Sequence, residues 1–160
     1  MRIGVVSDTH NNLRNVERIV ELFREAGVER VVHTGDITQP RTLRALAAVD
    51  VPIIGVFGNN DEREALRESA AGLAIELVEP PFSWTLASRR ILVAHDPAEL
   101  EDAAADEYAV VLHGHTHRRT MERGEGRLLF NPGECAGHLA GRQSVGVVDL
   151  ATLEPELLYF

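Results

Sequence analysis

Short apolar runs that each end in a polar loop organise the first half of this chain. They occupy residues 2–8, 30–36 and 51–61. An unbroken apolar run of this length is typical of a buried strand that delivers polar side chains to its carboxyl end. Residues 41–49, between the second and third runs, have a helical pattern. The first half therefore predicts repeated β-α units.

Two further helices are indicated by their end signals. Between Asn12 and Gly27, apolar residues recur at helical spacing, so we expect a helix that Asn12 caps and Gly27 stops. Asp61 and Glu64 have the spacing of a capping box, which predicts a helix over 62–70.

The second half is rich in strand patterns. Residues 82–96 predict a β-hairpin that turns near Ser88–Arg90, and residues 97–105 predict a short helix. An apolar run ending at Leu112 returns to the strand-then-loop form. The remaining predicted elements are a hairpin over 120–133 that turns at Gly124–Gly126, and strands at 144–149 and 155–159. β-α units followed by a β-rich half imply a layered α/β fold with mixed sheets.

Composition narrows the function. The 160 residues are 44% hydrophobic and 26% charged, which is close to the globular average. The net charge of −9 argues against general nucleic-acid binding and against an anionic membrane surface. It leaves a small anionic substrate open, because a bound metal can reverse the field locally.

Missing residue types exclude several chemistries. All 16 basic residues are arginine, so a Schiff-base or P-loop lysine mechanism is excluded. Cys135 is the single cysteine, which excludes a disulfide framework and a cysteine-based zinc site. No apolar run reaches membrane-spanning length, and the opening MRIGVVSD does not match a signal peptide. We therefore expect a cytoplasmic enzyme or binding protein.

Polar residues capable of chemistry follow five of the predicted strands. In parallel α/β sheets the carboxyl ends of strands meet at one edge, so these loops are expected to meet. Each motif alone is weak, since Asp-x-His and Gly-Asp are common in ordinary turns and a single histidine after a strand is more often structural. The five are Asp8-Thr9-His10, Gly35-Asp36, Gly58-Asn59-Asn60-Asp61, His95 and Gly114-His115-Thr116-His117.

Three histidines at alternate positions leave the strand that ends at Leu112. In extended backbone, His113, His115 and His117 would project to one side, and Gly114 would let the backbone approach whatever lies there. Imidazole is a common metal ligand, but a metal site needs three or more ligands. For this segment alone, the alternative is a solvent-exposed turn that carries histidines without binding a metal.

The ordered set of motifs resembles the calcineurin-like metallophosphoesterases, and the short chain is similar to their small bacterial and archaeal phosphodiesterase branch. The motifs span residues 8–117, and Asn131-Pro132-Gly133 also fits. The resemblance implies a four-layer α-β-β-α sandwich with two mixed sheets, formed by a single metallophosphoesterase domain over residues 1–160. It places a two-metal site at the carboxyl ends of the strands.

The resemblance also implies which residues bind metal. Asp8, His10 and His117 would hold one ion, and Asp36 would bridge to a second. That second ion would be held by Asn59, His95 and His115. His33 and His113 are expected to support the ligands from behind.

Mixed nitrogen and oxygen ligands without thiolate suit borderline divalent metals better than calcium or magnesium. The expected cofactors are two divalent ions, with Mn²⁺ first and Ni²⁺, Fe²⁺, Co²⁺ or Zn²⁺ as alternatives. The implied activity is a dinuclear phosphoesterase, above all a phosphodiesterase. In it, a metal-bridging hydroxide attacks phosphorus in line, with Asp36 and Asn60 as the catalytic candidates.

Four positions hold a residue that differs from the one usual at that place in the family, and two of them bear on substrate choice. Asn60 stands where broad-range relatives have a histidine that protonates the leaving oxygen, and an amide cannot act as a general acid. Asn11 and Asp96 each stand where a glycine is usual, and both residue types tolerate positive φ. Glu134 follows Asn-Pro-Gly where a small hydroxyl residue is usual. Its carboxylate would either influence substrate choice or point into solvent.

The expected partner is a small phosphodiester substrate, without nucleic acid or membrane, and association of identical chains is left open. A catalytically weak scaffold for protein interaction, like the family's vesicle-coat relative, is the alternative function. Such proteins tend to lose ligands, whereas all seven ligand positions here hold a competent residue. A metallo-β-lactamase-like site does not fit, because Arg118 and Arg119 follow His117 where ligands would be needed. A haloacid-dehalogenase-like site would need an aspartate at His10.

Overall fold

Eleven strands form two mixed sheets in the computed structural model, which describes residues 1–101, 103, 105–138 and 141–160. The first sheet has the strand order β11-β10-β1-β2-β3-β4, and its last four strands are parallel. Its strands are β1 (Arg2–Val6), β2 (Arg30–His33), β3 (Ile53–Val56), β4 (Ile75–Val78), β10 (Ser144–Asp149) and β11 (Glu154–Tyr159).

The second sheet has the order β5-β6-β7-β9-β8. Strands β6, β7 and β9 run parallel, and each outer strand is antiparallel to its neighbour. Its strands are β5 (Phe82–Leu86), β6 (Arg89–Val93), β7 (Val110–Leu112), β8 (Thr120–Gly124) and β9 (Arg127–Asn131).

Helices cover the outer face of the first sheet. Three α-helices lie within the described residues: α1 (Leu13–Glu25), α2 (Pro40–Leu46) and α3 (Arg63–Ala70). Asn12 caps α1 through a hydrogen bond from the backbone N–H of Asn15, as the sequence predicts. Apolar residues of α1 pack against the helix-facing side chains of β1, β2 and β10 in one buried cluster. No helix in the described residues is long and apolar enough to cross a membrane.

A second apolar cluster lies between the two sheets. Val5 of β1 and Val56 of β3 pack there with Val93 of β6 and Leu112 of β7. Val6, one residue after Val5, belongs instead to the cluster beneath α1. The alternation of faces along a strand therefore places successive apolar residues in two different cores. The cluster between the sheets packs the parallel strands of the first sheet face to face against those of the second.

The predicted α/β class with two mixed sheets is confirmed. Beyond the second sheet lie two short 3₁₀ turns, Pro97–Leu100 and Ala105–Glu107, where the sequence predicts a helix over 97–105. Residues 102 and 104 of that prediction lie outside the described residues. The hairpin turns fall at Ala87–Ser88 and Glu125–Gly126, close to the predicted positions.

One local prediction is wrong, and one strand has no predicted counterpart. Helix α3 begins after Glu62 without a side-chain cap, so there is no capping box at Asp61. The Asp61 carboxylate instead accepts hydrogen bonds from the backbone N–H groups of Thr38 (2.5 Å) and Gly58 (2.7 Å). Strand β4 has no counterpart among the predicted elements, because it is a half-exposed edge strand whose short pattern does not alternate cleanly.

Candidate metal centre

Loops from both sheets meet at one edge of the sandwich. The backbone of Asp8, after β1, donates to Gly35 beyond β2, and the backbone of Gly114, after β7, donates to His95 beyond β6. The sheets are joined across the edge by the Nδ1–H of His95, which donates to the Thr34 carbonyl at 2.8 Å. Asn59 also lies 3.0 Å from His95, so the five strand-end motifs come together, as their position at the carboxyl ends of strands predicts.

One group of ligand-type atoms comprises Asp8, His10 and His117. One atom from each lies within 4.8 Å of the others. The Oδ1 of Asp8 and the Nε2 of His10 are buried without a hydrogen-bond partner and lie 3.9 Å apart. The Nε2 of His117 lies 3.3 Å from the same Oδ1. Buried polar atoms without partners are costly, and a cation between these three would satisfy them.

A second group comprises Asn59, His95 and His115. The Asn59 Oδ1 lies 3.0 Å from the His95 Nε2 and 3.1 Å from the His115 Nδ1. Because Nδ1 of His95 donates to a carbonyl, its Nε2 presents a lone pair. The Nε2 of His115 faces the Asp96 Oδ2 at 3.6 Å, which favours its proton and leaves the lone pair on Nδ1. Three electron-pair donors then face one another, which is the donor set of a cation site.

Asp36 lies between the two groups. Its Oδ2 is 3.3 Å from the His10 Nε2, and its Oδ1 is 3.6 Å from the His95 Nε2. Asp36 is 2% exposed and also lies within 4.8 Å of ligand atoms of Asp8 and His95. This is the position that a carboxylate shared by two cations requires.

Asn60 donates two hydrogen bonds to the Asp36 carboxylate. Its backbone N–H donates to Oδ1 at 3.0 Å and its side-chain amide donates to Oδ2 at 2.8 Å. Burial acts to raise the pKa of Asp36, but the two hydrogen bonds from Asn60 and the nearby His95 and His10 outweigh it, so the pKa is lowered. Asp36 is therefore held as a carboxylate.

His33 and His113 are buried next to the loops that carry the ligand-type residues. His33 accepts a hydrogen bond from the Gly35 N–H at Nδ1 (3.1 Å), so its Nε2–H donates to the Thr9 hydroxyl (3.2 Å). Burial lowers the pKa of His33 to about 3. His113 is buried and contacts the Gly114 carbonyl and the Asn131 side chain. His33 thus ties the loop after β1 to the loop after β2.

The backbone at the site differs from the extended form expected for the histidine triplet. His115 and His117 have φ of 64° and 56°, so the side-to-side alternation of an extended strand does not apply to them. His117 lies with Asp8 in the first group, and His115 lies with Asn59 in the second. Asp8, His10 and Asp36 also have positive φ, and such strain is typical of functional sites.

The two replaced glycines differ in outcome. Asn11 has φ of 61°, the conformation that its residue type tolerates. Asp96 does not use positive φ: it has φ of −89°, and its side chain caps the following 3₁₀ turn through Ala98. Glu134 does not point into solvent, since it is 1% exposed and accepts from the Gly137 N–H at 2.8 Å.

Sequence reasoning did not identify His138. This exposed histidine lies with its ring 5.3 Å from that of His10 and 5.5 Å from that of His117. One ligand atom from each of His117, Glu134 and His138 lies within 4.8 Å of the others. His138 follows no strand directly, so no strand-end motif marks it; its place depends on how the chain returns after β9.

Comparison with known proteins agrees with this geometry. The sequence model of the calcineurin-like phosphoesterase superfamily domain matches residues 1–153. The chain belongs to the calcineurin-like phosphoesterase superfamily. The family and the relatives named phosphodiesterase together identify the chain as a metal-dependent hydrolase of phosphoric esters, and the clustered histidines and aspartates are its candidate ligands.

Individual relatives of this calcineurin-like phosphoesterase cover nearly its whole length. The phosphodiesterase MJ0936 of Methanocaldococcus jannaschii is 34% identical over 154 residues, which are 93% of each chain. A solved structure of a novel archaeal phosphodiesterase superposes with a TM-score of 0.91 at 32% identity and covers 100% of both chains. Zinc-bound Vps29 of Entamoeba histolytica has a TM-score of 0.69 at 16% identity over 99% of both chains, which shows a shared fold alone.

Proposed function

We propose that this calcineurin-like phosphoesterase is a dinuclear metal-dependent phosphodiesterase, carried by one domain over residues 1–160. The observation that carries the proposal is the position of Asp36 between two groups of ligand-type atoms. Its oxygens lie 3.3 Å from His10 on one side and 3.6 Å from His95 on the other. A shared carboxylate flanked by two histidine-rich groups is the arrangement that two adjacent cations need.

Each residue has a proposed role. Asp8, His10 and His117 hold one divalent ion, Asn59, His95 and His115 hold the other, and Asp36 serves both. When bound, such a pair of ions supplies an acidified water as nucleophile and stabilises charge on the phosphoryl oxygens. The nitrogen and oxygen donors suit Mn²⁺, the first metal to test, or Ni²⁺, Fe²⁺, Co²⁺ or Zn²⁺.

Charges at the site favour a diester over a monoester. A phosphodiester carries one negative charge, whereas a monoester carries nearly two near neutral pH. The Asp96 carboxylate beside His115 and the buried Glu134 add negative charge around the proposed ions. A second negative charge on the substrate would therefore meet more repulsion.

The leaving group gives a second reason. Asn60 holds Asp36 through its backbone N–H and its side-chain amide. An amide cannot give up a proton to a departing alkoxide. Activated diesters, whose leaving groups need little protonation, are the substrates that this site serves best.

The competing proposal is a catalytically weak scaffold for protein interaction, and the shared fold with Vps29 is the observation that favours it. The donor atoms disfavour it, because all seven proposed ligand positions retain electron-pair donors that face one another. The 34% identity to a protein named as a phosphodiesterase also supports an enzyme.

The test is reconstitution of metal-free protein with each candidate ion, followed by a panel of aryl and alkyl diesters and monoesters. We expect two ions bound per chain and rapid hydrolysis of aryl diesters, with alkyl monoesters cleaved weakly. Protein that binds two ions but hydrolyses no ester in the panel would favour the scaffold. Protein that binds no divalent ion would contradict the metal centre itself.

A further inference from the structure

A third set of ligand-type atoms lies beside the first proposed ligand group, at its solvent side. It comprises His117, Glu134 and His138, with one ligand atom of each within 4.8 Å of the others. Ligands at about 2.0–2.2 Å from one ion are separated from each other by about 3–4 Å. The set therefore needs only small side-chain movements to close on a cation.

The segment that carries this set is built into the fold. The Glu134 carboxylate is 1% exposed and accepts the Gly137 N–H. The side-chain amide of Asn12 donates to the Ala136 carbonyl at 2.8 Å, and that of Asn15 donates to the Cys135 carbonyl at 2.7 Å. The turn over residues 134–137 is thus anchored to the start of α1. His138 follows it and lies exposed.

His138 completes a ring of three imidazoles with His10 and His117. The three ring centroids are 5.3–5.5 Å apart, and the rings of His117 and His138 are nearly parallel at 17°. The inner residue His10 is 18% exposed in its side chain and Asp8 is fully buried, whereas His138 is open to solvent. A cation arriving from solvent meets His138 before it meets Asp8.

His117 belongs to both sets, and this limits their joint occupation. A neutral imidazole has one nitrogen lone pair, so His117 can bind one cation at a time. The inner set has the carboxylates of Asp8 and nearby Asp36, whereas the outer set has Glu134 alone. Coulomb attraction therefore favours the inner position at equilibrium.

We propose that His117, Glu134 and His138 form an outer position for a divalent cation. From this position the ion passes to the inner position formed by Asp8 and His10. His117 either stays bound to the ion during the transfer or exchanges between the outer and the inner position. The inference rests on the proposed metal centre and adds a route of entry to it. His138 would act on the rate at which the inner group fills. It would not change how many ions the protein holds at saturation.

The experiment follows Co²⁺ uptake by the full chain after removal of metal with a chelator, with stopped-flow absorbance and equilibrium metal content as readouts. The variants are His138→Ala and His138→Gln. Glu17→Ala, which changes an exposed side chain on α1, is the matched control. Circular dichroism and thermal unfolding establish that each variant is folded.

For His138→Ala and His138→Gln we expect uptake and release of the ion both to slow by about tenfold, which corresponds to about 1.4 kcal/mol on the barrier to entry. Two ions per chain and an affinity within about twofold of wild type should remain, since an entry position changes both rates alike. Equal uptake rates in wild type and both His138 variants would overturn the inference. Three ions in wild type and two in His138→Ala would overturn it as well, because the outer set would then be a separate site. Wild-type protein that binds no Co²⁺ would instead contradict the proposed metal centre.

Discussion

Asn60 donates a hydrogen bond to each oxygen of the Asp36 carboxylate, from its backbone N–H to one and from its side-chain amide to the other. Each oxygen keeps a lone pair on the side that faces the histidines. Asn60 therefore fixes the plane of the carboxylate and lowers its pKa while leaving it able to bind cations on two sides. The relationship gives Asn60 a positioning role, in addition to the restriction on leaving groups that an amide at this position predicts.

Asp36→Asn is expected to abolish turnover. The change removes the negative ligand that both proposed ions share, so the loss should be at least about 10²–10³-fold, the usual cost of one electrostatic stabiliser. Asn59→Ala, the comparison, should weaken mainly the second ion. Kinetics with aryl diesters and metal content per chain are the measurements. Near-wild-type activity with two ions in Asp36→Asn would show that the bridging role is wrong.

Asn60→His and Asn60→Ala separate the two roles of this residue. General acid catalysis contributes about 10²–10⁴-fold, most for poor leaving groups, so the histidine variant should gain most on alkyl esters. The alanine variant loses the side-chain hydrogen bond to Asp36, so it should lose activity on every ester and bind metal more weakly. Rates on a series of aryl and alkyl esters decide the matter. Identical rates for all three proteins on every ester would exclude both roles.

Gly58→Ala should damage the site through Asp36. A Cβ at this position would lie 2.2 Å from the Asp36 Oδ1 and 2.4 Å from its backbone nitrogen, both of which must move. We expect a loss of stability of about 1–3 kcal/mol, typical of overpacking, together with weaker metal binding. Gly124→Ala is the matched control, because a Cβ there meets nothing within 4 Å. Denaturant unfolding and metal titration of both variants test this, and equal behaviour of the two would refute it.

The parts of the fold that could be predicted are those where one local pattern decides the structure. Asn12 and Gly27 mark the ends of α1, and each apolar run before a strand-end motif is a buried strand. Local pattern fails where a distant contact competes. Asp61 has the spacing of a cap for α3, but the backbone N–H groups of Thr38 and Gly58 take its carboxylate.

The same distinction holds at the site. Asp8, Asp36 and the strand-end histidines could be found, because parallel strands bring their carboxyl ends to one edge. The left-handed backbone at His115 and His117 could not be found, because an apolar run followed by alternating histidines predicts extended backbone there. His138 has no periodic or strand-end signal, since its position depends on the turn that Asn12 and Asn15 anchor to α1.

Metal affinity should fall with pH in a way that reports the number of histidines. Each proposed ion has two imidazole ligands that must be neutral, so affinity should fall by up to about 100-fold per pH unit well below about pH 6.5. Burial lowers the pKa of His10, although Asp36 opposes the shift, so the first ligand group should begin to lose metal at a lower pH than an exposed pair would. Metal titrations from pH 7.5 to 5 provide the measurement. An affinity that does not depend on pH would be incompatible with histidine ligands.

His33 should make the metal-free protein lose stability in acid. Burial lowers its pKa to about 3 in the folded state, against 6.5 for the ordinary residue. Above about pH 6.5 both folded and unfolded chains carry it neutral, so it adds no pH dependence there. Between pH 6.5 and 3 only the unfolded chain binds the proton, so the free energy of unfolding falls as pH falls, by at most about 1.4 kcal/mol per unit.

The variant His33→Asn tests this, because its side chain can still accept the hydrogen bond from the Gly35 N–H but cannot titrate. At pH 7.5 we expect this variant to be less stable by about 1–3 kcal/mol, because the contact with Thr9 is lost. That difference should shrink between pH 6.5 and 5, as measured by denaturant unfolding in the presence of a chelator. A difference that stays constant over this range would mean that His33 is protonated in the folded protein.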